Sequence, residues 1–538
     1  MKKIKISKYI IAAALAFSIT SCHDDLDLMP NDPDTYTQFD VFKDAATAKS
    51  ALAKVYASLA LTGQKGPAGS GDIQGIDEGA SQYTRLMFNL NVLTTDESIV
   101  GWGDPGLPNL HALSWGASNS FVEAMYYRLA QTVSFSNSFI ANAEALSSTT
   151  PEVKEYVAEA RFIRAYAYYS LMDLYANVPL VTEVSSELPK QSNRKEIFTF
   201  VESELKAIEA ELKAGRANEY GRVDKVAAYA LLSRLYLNAE SWIDVAKYSE
   251  SITYSNLAIE SGYSLNTTDA NENGTAYDEL FLADNDTNGA QNEGIFVLNF
   301  DGNNSRTYGG STYLVKAAIG GSMQPADYGV NGGWGGPRTT SALVEKFQSS
   351  QNDSNGNPIA WTDKRAMFYT DGQTYDIAEV SRFSDGYAVT KFKNKKSNGN
   401  NGNDSTGEFV DTDVPVIRLA EIYLNYAEAV LRGGGGDRAT ALNYINALRT
   451  RAYGNTSGNI TNAQLNLDFI LDERARELYW EGTRRTDLIR FNKFTTGYNW
   501  PFKGGVANGT SVSDIRKLFP IPINIIAINP NLTQNPGY

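Results

Sequence analysis

One cysteine in 538 residues, at position 22, leaves this chain no disulfide with which to hold itself together. Whatever it folds into must be stabilised by its core alone, and the length is ample for a large one. The position of that cysteine matters too, because Cys22 closes a short hydrophobic leader. Lys2, Lys3, Lys5 and Lys8 form a positive start, Tyr9 to Ile19 an apolar run, and Thr20 and Ser21 supply small residues before the cysteine. An apolar run this short falls well below the roughly 20 helical residues needed to cross a hydrocarbon core. The leader is therefore expected to be removed rather than kept as a membrane span.

Ile19-Thr20-Ser21-Cys22 matches a bacterial lipobox, in which the thiol is lipidated and Cys22 becomes the mature N-terminus. An ordinary secretory signal with a stray cysteine is the alternative. The expected organisation is a signal peptide over 1–21, a lipidated N-terminus and tether over 22–43, and one domain over 44–538. His23-Asp24-Asp25 has the character of an acidic address to the cell exterior, although acidic tethers also occur without any address. Removing the leader takes away four lysines and no acid, moving the formal net charge from −14 to −18. So acidic a chain repels nucleic acid and anionic lipid headgroups, which leaves neutral sugars and other proteins as partners. Histidine is scarce as well: only His23 and His111 exist. Zinc sites draw several ligands from Cys and His, which are lacking here. A Ser-His-Asp triad would have to use His111, and no nucleophile-elbow sequence accompanies it, so His111 is expected to be structural.

Apolar periodicity predicts a mainly α fold. Helices are expected at 44–61, 119–146, from Pro151 to Tyr175, and at 194–213, 224–238 and 242–260. The pattern resumes at 416–432, 437–453 and 464–481, with Gly433 and Gly482 as C-terminal stops. Leu235-Tyr236-Leu237-Asn238-Ala239-Glu240 and Ile422-Tyr423-Leu424-Asn425-Tyr426-Ala427-Glu428 are alike, and each precedes a turn and another helix. Helix pairs of this size are those of tetratricopeptide-like repeats, with an irregular bundle as the alternative. Two segments, about 62–118 and 262–412, are rich in Gly, Asn and Asp and read as long irregular insertions. The proline-rich tail from Leu518 onward is expected to run extended over the surface.

Trp102 lies in Gly101-Trp102-Gly103-Asp104-Pro105-Gly106 and Trp334 in Gly332-Gly333-Trp334-Gly335-Gly336. A large ring among glycines belongs to neither a helix stripe nor a strand face. On a loop it either presents a flat apolar surface, suited to the C–H face of a pyranose, or fastens the loop to the core. Tyr308, before Gly309-Gly310, has the same setting. Acid pairs at Asp77-Glu78 and Asp96-Glu97 offer a glycosidase its two carboxyls, but with 62 acids such pairs arise easily. Asp284-x-Asp286-x-Asn288-Gly289 begins like a calcium loop, yet Ile295 stands where an EF-hand needs glutamate. A structural calcium site completed by Asp411 or Asp413 and a plain Asx-rich turn are the two readings; no other cofactor is expected. The segment from Asp472 to Arg490 alternates charge at helical spacing and reads as a salt-bridged helix with its following turn.

That last segment, Glu473-Arg474-Ala475-Arg476-Glu477-Leu478-Tyr479-Trp480-Glu481-Gly482 with Arg484-Arg485-Thr486-Asp487-Leu488 and Arg490-Phe491, resembles the C-terminal signature of RagB/SusD lipoproteins. Arg418-Leu419-Ala420-Glu421-Ile422-Tyr423, the stretch Phe519-Pro520-Ile521-Pro522, the ending Gln534-Asn535-Pro536-Gly537-Tyr538, and Cys22 with Leu26-Asp27 and Pro30 agree with it. The loops, Gly63-Gln64-Lys65-Gly66, Asp77-Glu78-Gly79 and Arg306 to Leu314, are most similar to the starch-binding type. The resemblance implies a fold of tetratricopeptide-like helix pairs and an aromatic arc of Trp102, Tyr308 and Trp334, with Arg85 and Asp77 as polar sugar contacts. Where the type offers Asn three residues after the first tryptophan, this chain has Pro105, with Asp104 beside it. It also implies an outer-membrane lipid anchor facing the exterior and a SusC-like TonB-dependent transporter as partner. On this reading the protein captures starch or malto-oligosaccharide without catalysis. The alternatives are a structural lid for a transporter of another glycan, or a glycoside hydrolase.

Overall fold

The computed structural model describes residues 38–538 apart from 68 and 70, so Cys22 with the leader and most of the tether lies outside the described residues. Helices dominate, and their starts follow sequence chemistry. α1 (Ala45–Ala60) opens on Asp44, whose side chain accepts from Thr47 N in a reciprocal capping box. A nine-residue helix, α2 (Tyr83–Asn91), follows inside the segment expected to be loop. α3 (Ser120–Ser147) and α4 (Pro151–Tyr175) pack together along their length, and α5 (Arg194–Ile208), capped by Asn193, lies against α4. α6 (Lys225–Leu237), α7 (Tyr248–Ile259), α9 (Leu419–Leu431) and α10 (Arg438–Tyr453) then stack in series, with the short α8 (Gly310–Lys316) placed in the long insertion. α11 (Leu467–Leu478) packs on α9, and α12 (Arg484–Arg490) follows it. The described strands form five two-stranded antiparallel sheets. Two of these matter here: β1 (Ile99–Val100) pairs with β3 (Pro337–Arg338), and β2 (Gly294–Leu298) with β4 (Val414–Arg418).

Several boundaries differ from periodicity, each for a tertiary reason. Residues 416–418 belong to β4 because the branched run Val414-Pro415-Val416-Ile417 is claimed by β2. α5 stops at Ile208, and the 242–260 segment breaks at Asp244, which takes a left-handed φ of 55°. α11 ends at Leu478, short of Gly482, since Trp480 turns to φ 64° and donates its N–H to the buried Glu97 carboxylate at 2.9 Å. The tail is not a surface strand. Phe519 and Ile521 are fully buried, Phe519 stacks 4.6 Å from Trp115, and Ile523–Ile528 forms a short helix.

The two similar stretches have a shared physical role. Asn238, just past α6, accepts from Arg490 Nη1 at 2.7 Å, and Asn425, at the matching place on α9, accepts from Arg474 Nη1 at 2.8 Å. Arg234 of α6 also pairs with Glu421 of α9. The charge-dense signature thus clasps both helix pairs from one side.

The same signature supplies an internal row of acids, Glu473 and Glu477 one turn apart on α11 and Glu481 just beyond its end. Arg365 donates to Glu473 and Glu477 at 2.8 and 2.9 Å and forms a bidentate pair with Asp363. Arg418 bridges Glu293, Glu477 and Glu481 within 2.9 Å, and Lys391 reaches Glu481 at 2.7 Å. Arg449 and Arg451 of α10 complete the row on Glu473 and Glu477. Burial alone would raise these carboxyls, but Arg365, Arg476 and Arg449 outweigh it and hold Glu473 at about 2. Arg490 does the same for Glu428, and Arg484 for Asp96, each at about 2. Glu97 has no such partner; burial, then the neighbouring Asp96 charge, pushes it up to about 8.

Two predictions follow from opposite signs. Carboxyls lowered on folding stabilise above their unfolded value and lose that contribution as pH falls toward 2, so thermal stability should climb from pH 2 to about 4.5. Glu97 is raised and therefore works against folding above about 4.5, so stability should decline from there toward pH 8, and Glu97→Gln should flatten that decline. Circular-dichroism melting from pH 2 to 8 reads both limbs. Arg365→Met leaves buried Asp363 without its ion-pair partner and takes one of three arginines from both Glu473 and Glu477, and should cost about 3–5 kcal/mol in denaturant unfolding.

Candidate functional site

The β1–β3 pairing decides where the two glycine-flanked tryptophans go. Trp102 follows β1 and Trp334 precedes β3, so the register Val100↔Pro337 delivers both to the same end of the ladder. There Trp102 Nε1 donates to the Trp334 carbonyl at 3.1 Å. A Cβ on Gly336 would fall 2.4 Å from the Trp102 ring, so glycine is what lets the indole lie on the chain. Trp334, Gly335 and Gly336 each donate their N–H at 2.8 Å to carbonyls of Lys316, Ile319 and Ala317, fixing the loop to the end of α8.

Tyr308 precedes the same helix. Its ring lies 6.3 Å from Trp334, tilted by 57°, and 5.2 Å from Phe409. Trp102, Trp334 and Tyr308 therefore form a continuous row, each ring partly exposed. Buried Tyr313 backs the row, edge-on to Trp102 at 6.2 Å. Arg85 of α2 stacks 4.8 Å from Tyr313 and 5.6 Å from Trp102, and its Nε is buried without a partner. Lys316 lies 5.7 Å from the Trp334 ring while donating to Glu408 at 2.8 Å and Asn331 at 2.9 Å.

The expected polar residues divide. Arg85 belongs to the row. Asp77 is exposed on the turn beneath Tyr308, where it accepts from Ala80 N at 3.2 Å. Asp104 is exposed two residues beyond Trp102. Glu78, the other half of the first acid pair, is buried and accepts from Thr62, from Thr307 at 2.7 Å and from Tyr308 N at 3.1 Å. Its role is to seat Tyr308. Asp96 and Glu97 are fully buried; Asp96 is held by Arg484 through two 2.7 Å bonds and by Tyr498 at 2.8 Å. Both acids are bonded within the core, Asp96 to Arg484 and Tyr498 and Glu97 to Trp480 N. His111 is buried too, its pKa lowered to about 4 by desolvation and then by Arg338.

The aspartates of the expected calcium site have donors of their own. Asp284 accepts from Ser397 N and Oγ, Asp411 from Gly302 N and Asn403 N, and Asp413 from Phe300 N. Burial, with the charge of exposed Asp286 among the lesser causes, raises Asp413 to about 8. Among the described residues no three His, Cys, Asp or Glu side chains group as a metal site. These aspartates tie loops through backbone N–H groups.

Sequence reading missed Arg338. Fully buried, it donates to Asp385 O at 2.8 Å, Gly336 O at 3.2 Å and Val380 O at 2.8 Å, while Gly101 N also donates to Gly336 O. One guanidinium thereby joins the loop before Trp102, the loop of Trp334 and the segment 376–386. No spacing rule announces such a residue; only its place directly after the glycine-flanked tryptophan hints at it. Arg338→Met keeps the bulk and removes the donors, at a cost of roughly 1–3 kcal/mol of local stability. Hydrogen exchange at 100–106, 332–338 and 376–386 should then accelerate by about 5- to 150-fold, with the helices unaffected.

Comparison with known proteins agrees with this geometry. Residues 336–538 match the profile described as "SusD family", and residues 112–237 match "Starch-binding associating with outer membrane". The three rings fall outside both stretches. The chain is 36% identical, over the full length of both proteins, to "Starch-binding protein SusD" of Bacteroides thetaiotaomicron. It is 24% identical to "SusD-like protein P2" of Formosa agariphila, over 79% of this chain and 82% of that one. Among solved structures, a SusD superfamily protein of Parabacteroides distasonis aligns with TM-score 0.70 at 23% identity, covering 92% of this chain and 99% of that one. Surface glycan-binding protein A of Bacteroides fluxus aligns with TM-score 0.67 at 21% identity, again over 92% and 99%. Helix-pair frame, C-terminal signature and full-length identity together place the chain in the SusD family.

Proposed function

We propose that this protein captures starch or a related α-1,4-glucan at the cell surface, without cleaving it, and passes it to a SusC-like TonB-dependent transporter of the outer membrane. The observation that carries the reading is the fixed row of Trp102, Trp334 and Tyr308, in which the Trp102 indole is bonded to the Trp334 peptide. A rigid curved row of rings suits a helical glucan, whose pyranoses present apolar C–H faces in a regular curve. Because the rings are already fixed, little ordering entropy opposes binding. The name of the Bacteroides thetaiotaomicron relative supports starch as the glucan. Asp77, Asp104 and Arg85 serve as the polar rim, with Asp104 in place of the Asn of the starch-binding type. Cys22 is the lipid anchor, and binding requires no cofactor.

Calorimetry with maltoheptaose, cyclodextrin, dextran and xylan tests the proposal. Maltoheptaose and cyclodextrin should bind, and equal affinity for all four sinks the glucan reading. Trp102→Ala and Trp334→Ala should each weaken binding by about 5- to 150-fold, equivalent to about 1–3 kcal/mol, while the Phe replacements retain part of it. Incubation with starch should release no reducing ends. Membrane association should vanish in Cys22→Ser; its persistence refutes the lipid anchor.

A further inference from the structure

Beside the two tryptophan loops runs the segment 376–386, which belongs to no recognised motif. It touches both. A Cβ on Gly101, the residue before Trp102, would lie 3.2 Å from Val380 O and 3.4 Å from Ser381 O. A Cβ on Gly320 would lie 2.7 Å from the Phe383 ring, and one on Gly335, the residue after Trp334, would meet the same ring at 3.8 Å. Gly335 and Gly336 are neighbours on one loop, so Phe383 covers the first as Trp102 covers the second.

The segment is held as firmly as the loops it joins. Buried Asp385 accepts from Ala378 N at 3.2 Å and Glu379 N at 2.8 Å, closing the segment on itself. Thr374 N donates to Ser384 O and Gly386 N returns to Thr374 O, at 2.8 and 3.0 Å. Arg338 fastens Val380 and Asp385 from beneath. The upper side faces solvent: Ser381 and Arg382 are exposed, Arg382 with 60% of its side-chain surface, and the Phe383 ring is partly exposed between the glycines and water.

We infer that segment 376–386 is a fourth element of the glycan platform, in which Phe383 offers an extra subsite for a further glucose unit of a bound chain. The inference rests on the glucan reading above. A partly exposed aromatic face, fixed on the backbone beside Gly335, with exposed Ser381 and Arg382 on the same segment, has the chemistry of the three-ring row. Its ring meets Gly335, the residue directly after Trp334, so it stands next to the row as a separate ring. A ligand that spans only the three rings gains nothing from it. A longer one does.

Calorimetry of the full chain with maltotriose and maltoheptaose separates these cases. Phe383→Ala should lower maltoheptaose affinity by about 3- to 10-fold and leave maltotriose affinity unchanged. Phe383→Leu fills the same space over Gly320 and Gly335 without an aromatic face, and should show the same selective loss with an unshifted melting temperature; Phe383→Tyr should keep wild-type affinity for both. A wild type that prefers maltoheptaose, together with Ala and Leu variants that keep the full preference, overturns the subsite alone. Equal weakening for both sugars also overturns it. A wild type that binds neither sugar overturns the glucan reading, and the subsite with it.

Discussion

The fold hangs on the buried acid row of Glu473, Glu477 and Glu481. A chain with long loops and no cysteine pair has little to stop those loops from leaving the core, because loop backbone buries little apolar area. Here the ties are ionic. Glu293, Asp363, Arg365 and Lys391 come from the 262–412 insertion, Arg418 from the end of β4, and Arg449 and Arg451 from α10; all meet on one row. Isolated buried pairs stabilise weakly because desolvation offsets attraction. Sharing changes the balance. Glu477 accepts from Arg365, Arg418 and Arg451 together, so the cost of burying one carboxylate is set against three partners.

From that row the order passes outward to the rings along one short stretch of chain. Asp96 is held by Arg484 and Glu97 by Trp480 N, both from the C-terminal signature. Val100 is then paired with Pro337, and Trp102 is bonded to the Trp334 carbonyl. Within seven residues the backbone goes from a fully buried ion pair at Asp96 to a partly exposed ring at Trp102. The rings are therefore fixed at the site by the core rather than by contacts among loop residues.

Much of this was legible in the sequence. Helices with capping residues and Ala-rich faces were placed to within a few residues, as at Pro151–Tyr175, and the charge-dense segment was recognised as a salt-bridged helix and turn. The glycine settings of Trp102, Trp334 and Tyr308 were sufficient to mark three rings that the fold brings together. What failed was non-local. α2 lay hidden in Gly-rich surroundings because a nine-residue helix is stabilised by packing of Leu86, Phe88 and Leu90 and carries little periodic signal of its own. The end of α11 is set by Glu97, almost 400 residues away, and β4 by its partner strand. For Asp284, Asp411 and Asp413 spacing counts the oxygens but not the N–H groups of Ser397, Gly302, Asn403 and Phe300 that bond to them. Arg338 was unreadable because its three acceptors are backbone carbonyls on two segments, Gly336 on one and Val380 and Asp385 on the other.

The separation between frame and platform has a consequence for specificity. The stretches matched by the family profiles, 112–237 and 336–538, contain the helix pairs and most of the ion network, whereas Trp102, Tyr308 and Trp334 lie between or before them. Arg338 stands at the seam. It holds the three loops through backbone carbonyls, which every residue type supplies, so the side chains on those loops can change without disturbing their anchorage. A protein built this way can alter which glycan it stacks against by exchanging rings and rim groups at a few loop positions. Changing the acid row would instead unfold the frame that aims them. The positions to compare when specificities differ are therefore those on the outer faces of the three loops, and the positions to leave alone are the buried charges behind them.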